Sequence, residues 1–447
     1  MERLRKLARD PFAGPLGLIA IVGFAWRVFY TLALEPRFKP MVFADEAWYV
    51  AQAHRLFGAH PFSQVANQNY LRIDPTLPSA QHGPLASLLL APLAQLTHSV
   101  TVLRLQNVAL GTLVIVVVGL LGRQVAGARV GLIAAGLAAL DPGLWIRDGI
   151  AASEPLAELL VATTLLLAFR YLSAASWWRA AGLGLVLGLA VLARPELMLF
   201  AVLVGAPVLL LGSWRGSSSD TQPWARRLGA PVLAAAVALA TLSPWLAYNH
   251  GRFDSSVTLT DNLGTTLVGA NCDAGFYGRL AGYDDFFCWA ASYKRAVKQT
   301  TDEAKQSQLM RADAMGYLHQ HWGRLVVVMP MREAWLLGLR SPSWVVEQST
   351  YIGQPRWATW SQAVSFWFIL ALTAVGAIAA KRRRITTWPL WMSVASMLLV
   401  AAAFVGHWRY RVSAEVALLV LAAIGLNALT VAWRQRDPQA SRDSSSS

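Results

Sequence analysis

Two adjacent carboxylates, Asp45 and Glu46, lie just after the first long apolar run, in the stretch Val42-Phe43-Ala44-Asp45-Glu46-Ala47-Trp48-Tyr49. Aromatic and apolar neighbours desolvate a carboxylate and raise its basicity, as suits a general base that takes a proton from a hydroxyl. Further along, Gln81-His82-Gly83-Pro84-Leu85 places a histidine ahead of an apolar segment. Arg147-Asp148 is followed by Glu154-Pro155, Arg194 sits in Arg194-Pro195-Glu196, and His407-Trp408-Arg409-Tyr410-Arg411 separates two late apolar runs. Arginine forks grip phosphate in a bidentate way. Cations and carboxylates on one membrane face suit displacement of a sugar from a lipid-linked phosphate. The cations stabilise the departing phosphate, one carboxylate accepts the acceptor's proton, and nearby carboxylates stabilise an oxocarbenium-like transition state. A single displacement inverts the anomeric carbon. Each group also has a blander reading. Asp45 and Glu46 could be solvated loop charges, and His82 a surface residue. Glu154 could be a helix cap, and the late arginines could snorkel to lipid phosphates.

Apolar spans must position these groups. Of the 447 residues, 55% are hydrophobic and 14% charged, against about 25% charged in soluble proteins. Runs of around 20 apolar residues recur, each long enough to cross a bilayer. The net charge of +14 comes from short basic clusters between those runs, which follows the positive-inside rule and argues against nucleic acid as a partner. Gly14 to Leu34, preceded by Arg3, Arg5, Lys6 and Arg9, is too long for a signal-peptide core and reads as an uncleaved span.

The later candidate spans are Thr101–Leu121, Val130–Ile146, Ser153–Leu172, Ala180–Ala193, Leu197–Leu211, Gly229–Tyr248, Ser361–Ala380, Thr387–Phe404 and Val412–Trp433. Pro84 to Thr97 is short for a span. If it lies along the interface, the Lys/Arg loops all face one side, and the Lys381-Arg382-Arg383-Arg384 cluster becomes cytoplasmic. The expectation is an all-α polytopic membrane protein with about ten spans, interfacial helices and both termini inside. Residues 1–249 form the core, with a first outer loop over 35–100. Residues 250–360 form a larger extracytoplasmic region, 361–433 the last spans, and 434–447 a disordered Ser-rich tail.

The two cysteines, Cys272 and Cys288, both fall in that outer region. An oxidising compartment permits a disulfide between them; two free buried thiols are the alternative. Two ligands are too few for structural zinc.

The order of these motifs resembles the GT-C superfamily of polytopic glycosyltransferases. It is most similar to glycosyltransferase family 39 and its bacterial relatives, which include protein O-mannosyltransferases and the lipid A aminoarabinose transferase. Asp45-Glu46 matches the acidic motif of the first outer loop. His82-Gly83-Pro84-Leu85 is similar to His-Pro-Pro-Leu, with Gly for the first Pro. Arg147 through Glu154-Pro155 looks like the family's Arg…Asp-Pro element, with Glu for Asp and a longer spacing. Pro244-Trp245 ahead of Asn249 resembles the segment opening the large loop, and Arg409-Tyr410-Arg411 the Arg-Tyr-Arg element near the last span.

The resemblance implies a GT-C transmembrane bundle in the plasma membrane with an extracytoplasmic site. It implies a polyprenyl-phosphate sugar as donor and a glycan, lipid or protein as acceptor. Asp45, Glu46 and Glu154 are the candidate catalytic residues. His82, Arg147, Asp148, Arg194, His407, Arg409 and Arg411 are the candidates for holding phosphate and substrate. No Asp-x-Asp pair is present, so no metal is expected to be obligatory; a divalent cation is the alternative. The competing reading is a lipid-linked sugar flippase, for which charges near the bilayer midplane and inverted repeats would be diagnostic.

Overall fold

The computed structural model describes residues 11–34, 45–65, 74–215, 224–351 and 353–436. The basic cluster ahead of the first span, Val42 to Ala44 and the tail from 437 onward lie outside the described residues. Within them the chain is all-helical, apart from one isolated bridge between Ser63 and Pro78.

The helices are α1 (Ala13–Leu34), α2 (Asp45–Arg55), α3 (Leu85–Ala94), α4 (Val100–Ala126), α5 (Ala128–Leu140), α6 (Pro142–Asp148), α7 (Glu154–Ser173), α8 (Trp177–Ala193), α9 (Leu197–Gly212) and α10 (Trp224–Asn249). Then come α11 (Leu263–Ala270), α12 (Phe286–Val297), α13 (Glu303–His321), α14 (Leu325–Leu336), α15 (Pro342–Tyr351), α16 (Arg356–Arg382), α17 (Trp388–Ala403) and α18 (Glu415–Arg436). Six described helices are long and apolar enough to cross a bilayer, and α5 with α6 makes a seventh if counted as one bent span. The other three expected spans fall on the shorter apolar helices α8, α9 and α17. At ten residues α3 reaches only about 15 Å, half a hydrocarbon core.

The span expected over Val130–Ile146 is broken by 53° between α5 and α6. The cause is Asp141-Pro142. Pro142 has no N–H to donate to the carbonyl of Ala138. Arg27, fully buried in α1, supplies the missing donors, at 3.0 Å to the carbonyl of Ala138 and 3.1 Å to that of Ala139. Its Nε pairs with Asp148 at 2.5 Å. The Asp141 side chain caps the new helix by accepting from the backbone N–H of Gly143. A buried arginine thus satisfies the backbone of a helix break, which apolar surroundings require.

In lipid, helices associate through close packing of small residues. At the α16–α18 contact a Cβ on Gly376 would lie 2.0 Å from the carbonyl of Leu421, and one on Gly425 2.2 Å from that of Leu372. Only glycines permit that approach. The helices α11, α12 and α13 have their own small apolar core of Val268, Trp289, Ala296, Met310 and Ala314, and a Cys272–Cys288 disulfide ties the end of α11 to the start of α12.

Candidate active site

Asp45 and Glu46 open α2, where carboxylates complement the helix dipole. Neighbouring residues on a helix point about 100° apart, and the two carboxylates part company accordingly. Glu46 turns inward. It accepts two bonds from Arg104 of α4, at 2.8 and 2.7 Å, and one from the backbone N–H of Ala151 at 2.8 Å. That fork leaves no free role for it in chemistry, contrary to expectation; Glu46 locks α2 to α4 and to the 149–153 loop.

Asp45 faces a cavity of about 600 Å³. Its Oδ2 accepts from Arg409 at 2.5 Å, and His82 Nε2 lies 3.5 Å from its Oδ1. Arg409 also donates to Glu154 at 2.9 Å, and Arg194 donates to the same Glu154 oxygen at 2.7 Å and to Glu196 at 2.6 Å. One arginine therefore bridges two carboxylates contributed by α2 and α7. Burial pushes the Asp45 carboxyl up, but Arg409 and His82 outweigh it and hold it well below the usual carboxylate range. The raised basicity expected from apolar neighbours is absent because charge wins over desolvation.

His82 is fixed by ring contacts of 5.1 Å with both Trp48 and Tyr49, and Trp48 is itself held by a 3.1 Å bond to Ser79. The glycine that follows His82 has a local reason. A Cβ at Gly83 would lie 2.2 Å from the carbonyl of Leu192, so proline does not fit where this turn meets α8.

Arg409 lies in a short 3-10 turn, Trp408–Ser413. In such a turn residues two apart point about 120° away from each other. Arg409 reaches the cavity, whereas Arg411 is fully buried on the far side. There it donates to the carbonyl of Leu336 at 2.8 Å and stacks on Phe366 and Trp408. Arg411 thus anchors the turn and does not line the cavity. His407 does line it. Burial, with Arg409 and Arg147 nearby, lowers its pKa to about 3, and its Nδ1 accepts from the Arg409 backbone N–H at 3.2 Å. His407 thus caps the turn that carries Arg409 at the cavity wall.

Arg147 and Asp148 are buried away from the cavity. Arg147 bonds Glu158 at 3.0 Å, Glu415 at 2.8 Å and the carbonyl of Trp408 at 3.0 Å, so it supports the turn that carries Arg409. Asp148 is occupied by Arg27. Sequence reasoning missed Arg104, Glu158 and Glu415. A charge inside an apolar run was the available signal, since such residues persist only when paired.

The cavity's other wall comes from α11, α12 and α13 and holds Asp261, Glu303, Gln306, Phe286, Trp289 and Tyr293. Asp261 is fixed by a reciprocal pair of bonds with the backbone of Ala80, at 3.0 and 3.3 Å. Burial raises Glu303 to about 7. Burial and the neighbouring Glu303 raise Asp261 too. Together the two carboxyls keep a proton near neutrality.

Among the described residues, no three His, Cys, Asp or Glu side chains are placed to hold a metal ion. Arg409, bonded to both Asp45 and Glu154, occupies the position a bridging cation would take, so the residues present do not fit one.

The helical bundle is one that comparisons with known proteins also find. The family model described as dolichyl-phosphate-mannose-protein mannosyltransferase matches residues 81–248. No curated protein matches the chain. The Archaeoglobus fulgidus oligosaccharyltransferase, in a crystal structure with Zn and sulfate, is similar at 17% identity and a TM-score of 0.51, over 94% of this chain and 50% of that one. The archaeal oligosaccharyltransferase AglB from the same organism, in complex with an inhibitory peptide and a dolichol-phosphate, gives 15%, 0.51, 95% and 51% in the same order. ArnT from Cupriavidus metallidurans, bound to undecaprenyl phosphate, gives 17%, 0.43, 91% and 78%. The chain spans about half the length of the oligosaccharyltransferases it matches. The fold is thus of the GT-C type, and the resemblance read from the motifs stands.

Proposed function

We propose that this chain is an inverting glycosyltransferase that moves a sugar from a polyprenyl-phosphate donor to an acceptor hydroxyl on the extracytoplasmic face. The observation that carries the reading is Arg409 bonded at once to Asp45 and Glu154 at the cavity wall. Both bonds leave from one nitrogen, Nη2, and a guanidinium that gathers two anions in this way suits a phosphate, which it can grip in a bidentate way. When the donor's phosphate takes Arg409, Asp45 loses the charge that suppresses its basicity. Burial is then opposed by His82 alone, and Asp45 becomes better able to accept a proton. Binding of the donor therefore arms the base.

In the transfer, the acceptor oxygen forms a bond to the anomeric carbon and its proton passes to Asp45. The bond from that carbon to the phosphate oxygen breaks, and the electron pair stays on the phosphate beside Arg409 and Arg194. Glu154 keeps Arg194 in place throughout. His82, 3.5 Å from Asp45, orients the base and reaches the same phosphate. The alternation of basic clusters supports the outward orientation. Dolichol-phosphate and undecaprenyl phosphate bound to two of the similar structures fit the donor class.

The test uses protein in lipid nanodiscs and radiolabelled polyprenyl-phosphate pentose and hexose donors. Release of polyprenyl phosphate is expected in wild type and should drop on the order of 10²- to 10⁴-fold in Asp45→Asn. Equal release from both proteins would remove Asp45 as base. Donor movement across the bilayer without release would favour the flippase.

A further inference from the structure

The cavity's arginines are unevenly placed. Its only lysine or arginine linings among the described residues are Arg194 and Arg409, both at the Asp45 end, where they pair with Asp45, Glu154 and Glu196. The wall from α11, α12 and α13 instead carries Asp261, Asp284, Asp285 and Glu303. The same wall presents aromatic rings. Phe286 is 51% exposed although it lines the cavity. Behind it Trp289 lies 5.3 Å away, and Trp289 stacks on Tyr293 at 5.4 Å. Gln306, nearly buried, lines the cavity next to Glu303.

A sugar ring has one apolar C–H face and a rim of hydroxyls. An exposed aromatic ring covers the first, and carboxyl and amide groups bind the second. Even with a proton shared by Asp261 and Glu303, a wall lined by carboxyls and lacking lysine or arginine among its described lining residues disfavours a phosphorylated glycolipid or an acidic peptide. Peptides are commonly captured by strand addition or in a helix groove, and this wall offers no strand edge among its described residues. We propose that the wall formed by Phe286, Trp289, Tyr293, Asp261, Glu303 and Gln306 binds a neutral carbohydrate, and that the acceptor hydroxyl belongs to a glycan chain. The donor's phosphate then occupies the end with Arg194 and Arg409 and the acceptor glycan the aromatic, carboxyl-lined end, with Asp45 between them in the reaction. This acceptor class rests on the transferase reading above.

The experiment measures polyprenyl phosphate release from labelled pentose and hexose donors by the full chain in nanodiscs. The acceptor is a neutral linear mannotetraose, a Ser/Thr-rich peptide, an anionic phosphoglycolipid, or water alone. Saturation-transfer NMR of mannotetraose without donor reads binding directly. The expected result is that mannotetraose gains one sugar by mass spectrometry and gives a saturation-transfer signal. Phe286→Ala and Glu303→Gln should each raise its KM about tenfold, with kcat changed less than KM. Phe286 is surface-exposed, so its truncation spares the fold, and Glu303→Gln keeps size and hydrogen bonding. Transfer to the peptide or the phosphoglycolipid but not to mannotetraose would overturn the glycan acceptor and leave the transferase standing. An unchanged KM in both variants would overturn it too. Saturation transfer to mannotetraose with no release under any condition would uphold the binding wall and sink the transferase reading instead.

Discussion

Arg409 serves Asp45 and Glu154 in the resting protein, and this sets the acid limits of the site. A carboxyl with a folded-state pKa held below its ordinary value stays ionised until the pH falls through that lowered value. Donor hydrolysis without acceptor should therefore keep a flat kcat/KM in wild type down to about pH 5. Removing the guanidinium in Arg409→Gln leaves burial as the largest influence on Asp45, so the acid limb should move to higher pH, besides the loss of rate. A limb that stays put would show that Arg409 does not govern the base. Because Arg409 fills the place of a bridging cation, saturating EDTA should leave release within about twofold of the untreated rate; collapse of activity would restore a metal to the mechanism. At this scale the sequence was partly readable. Asp45, His82 and Arg409 come together at the cavity, whereas Glu46 and Arg411, which looked equivalent to their neighbours, do not line it. Side chains one or two residues apart point different ways once the backbone coils, and residue type alone does not tell which one faces the cavity.

Helices and turns hold those side chains through buried polar clamps. The Glu46–Arg104 fork joins α2 to α4. Glu46→Met alone takes both carboxylate bonds from a buried guanidinium and should cost about 3–5 kcal/mol, whereas Glu46→Met with Arg104→Met should recover most of that. Thermal unfolding of the purified variants in detergent gives the answer, and a double variant no better than the single would refute the clamp. The Cys272–Cys288 staple closes a loop worth roughly 3 kcal/mol in the chain-entropy model. Cys272→Ser with Cys288→Ser should make α11, α12 and α13 sensitive to protease before the spans are cut; unaltered cleavage kinetics would show that their small core suffices. The staple was readable from two cysteines in one outer segment. The break between α5 and α6 also had a signal, in Asp141-Pro142, but the apolar stretches on either side made Val130–Ile146 look like one span. Arg27, the residue that makes the break tolerable, lies more than a hundred positions upstream, where no local pattern points to it.

At the scale of the whole molecule, hydrophobic runs revealed the bundle and basic clusters suggested its orientation. They could not reveal that the cavity is assembled from distant parts of the chain. Asp45 and Arg409 are separated by 364 positions, and Arg147 and Glu415 by 268. Short helices such as α8, α9 and α17 reach toward the site from spans too brief to score as crossings, so span length was the least readable feature. The Arg147 clamp has a temporal side. Ribosomes deliver α7 to the bilayer long before α18, and until the final helix docks, Arg147 has lost the Glu415 half of its partnership and Arg409 does not yet exist. Until then Arg147 has only Glu158 to hold it, so a chain cut short before Trp408 is expected to pack less firmly in the bilayer than the full chain.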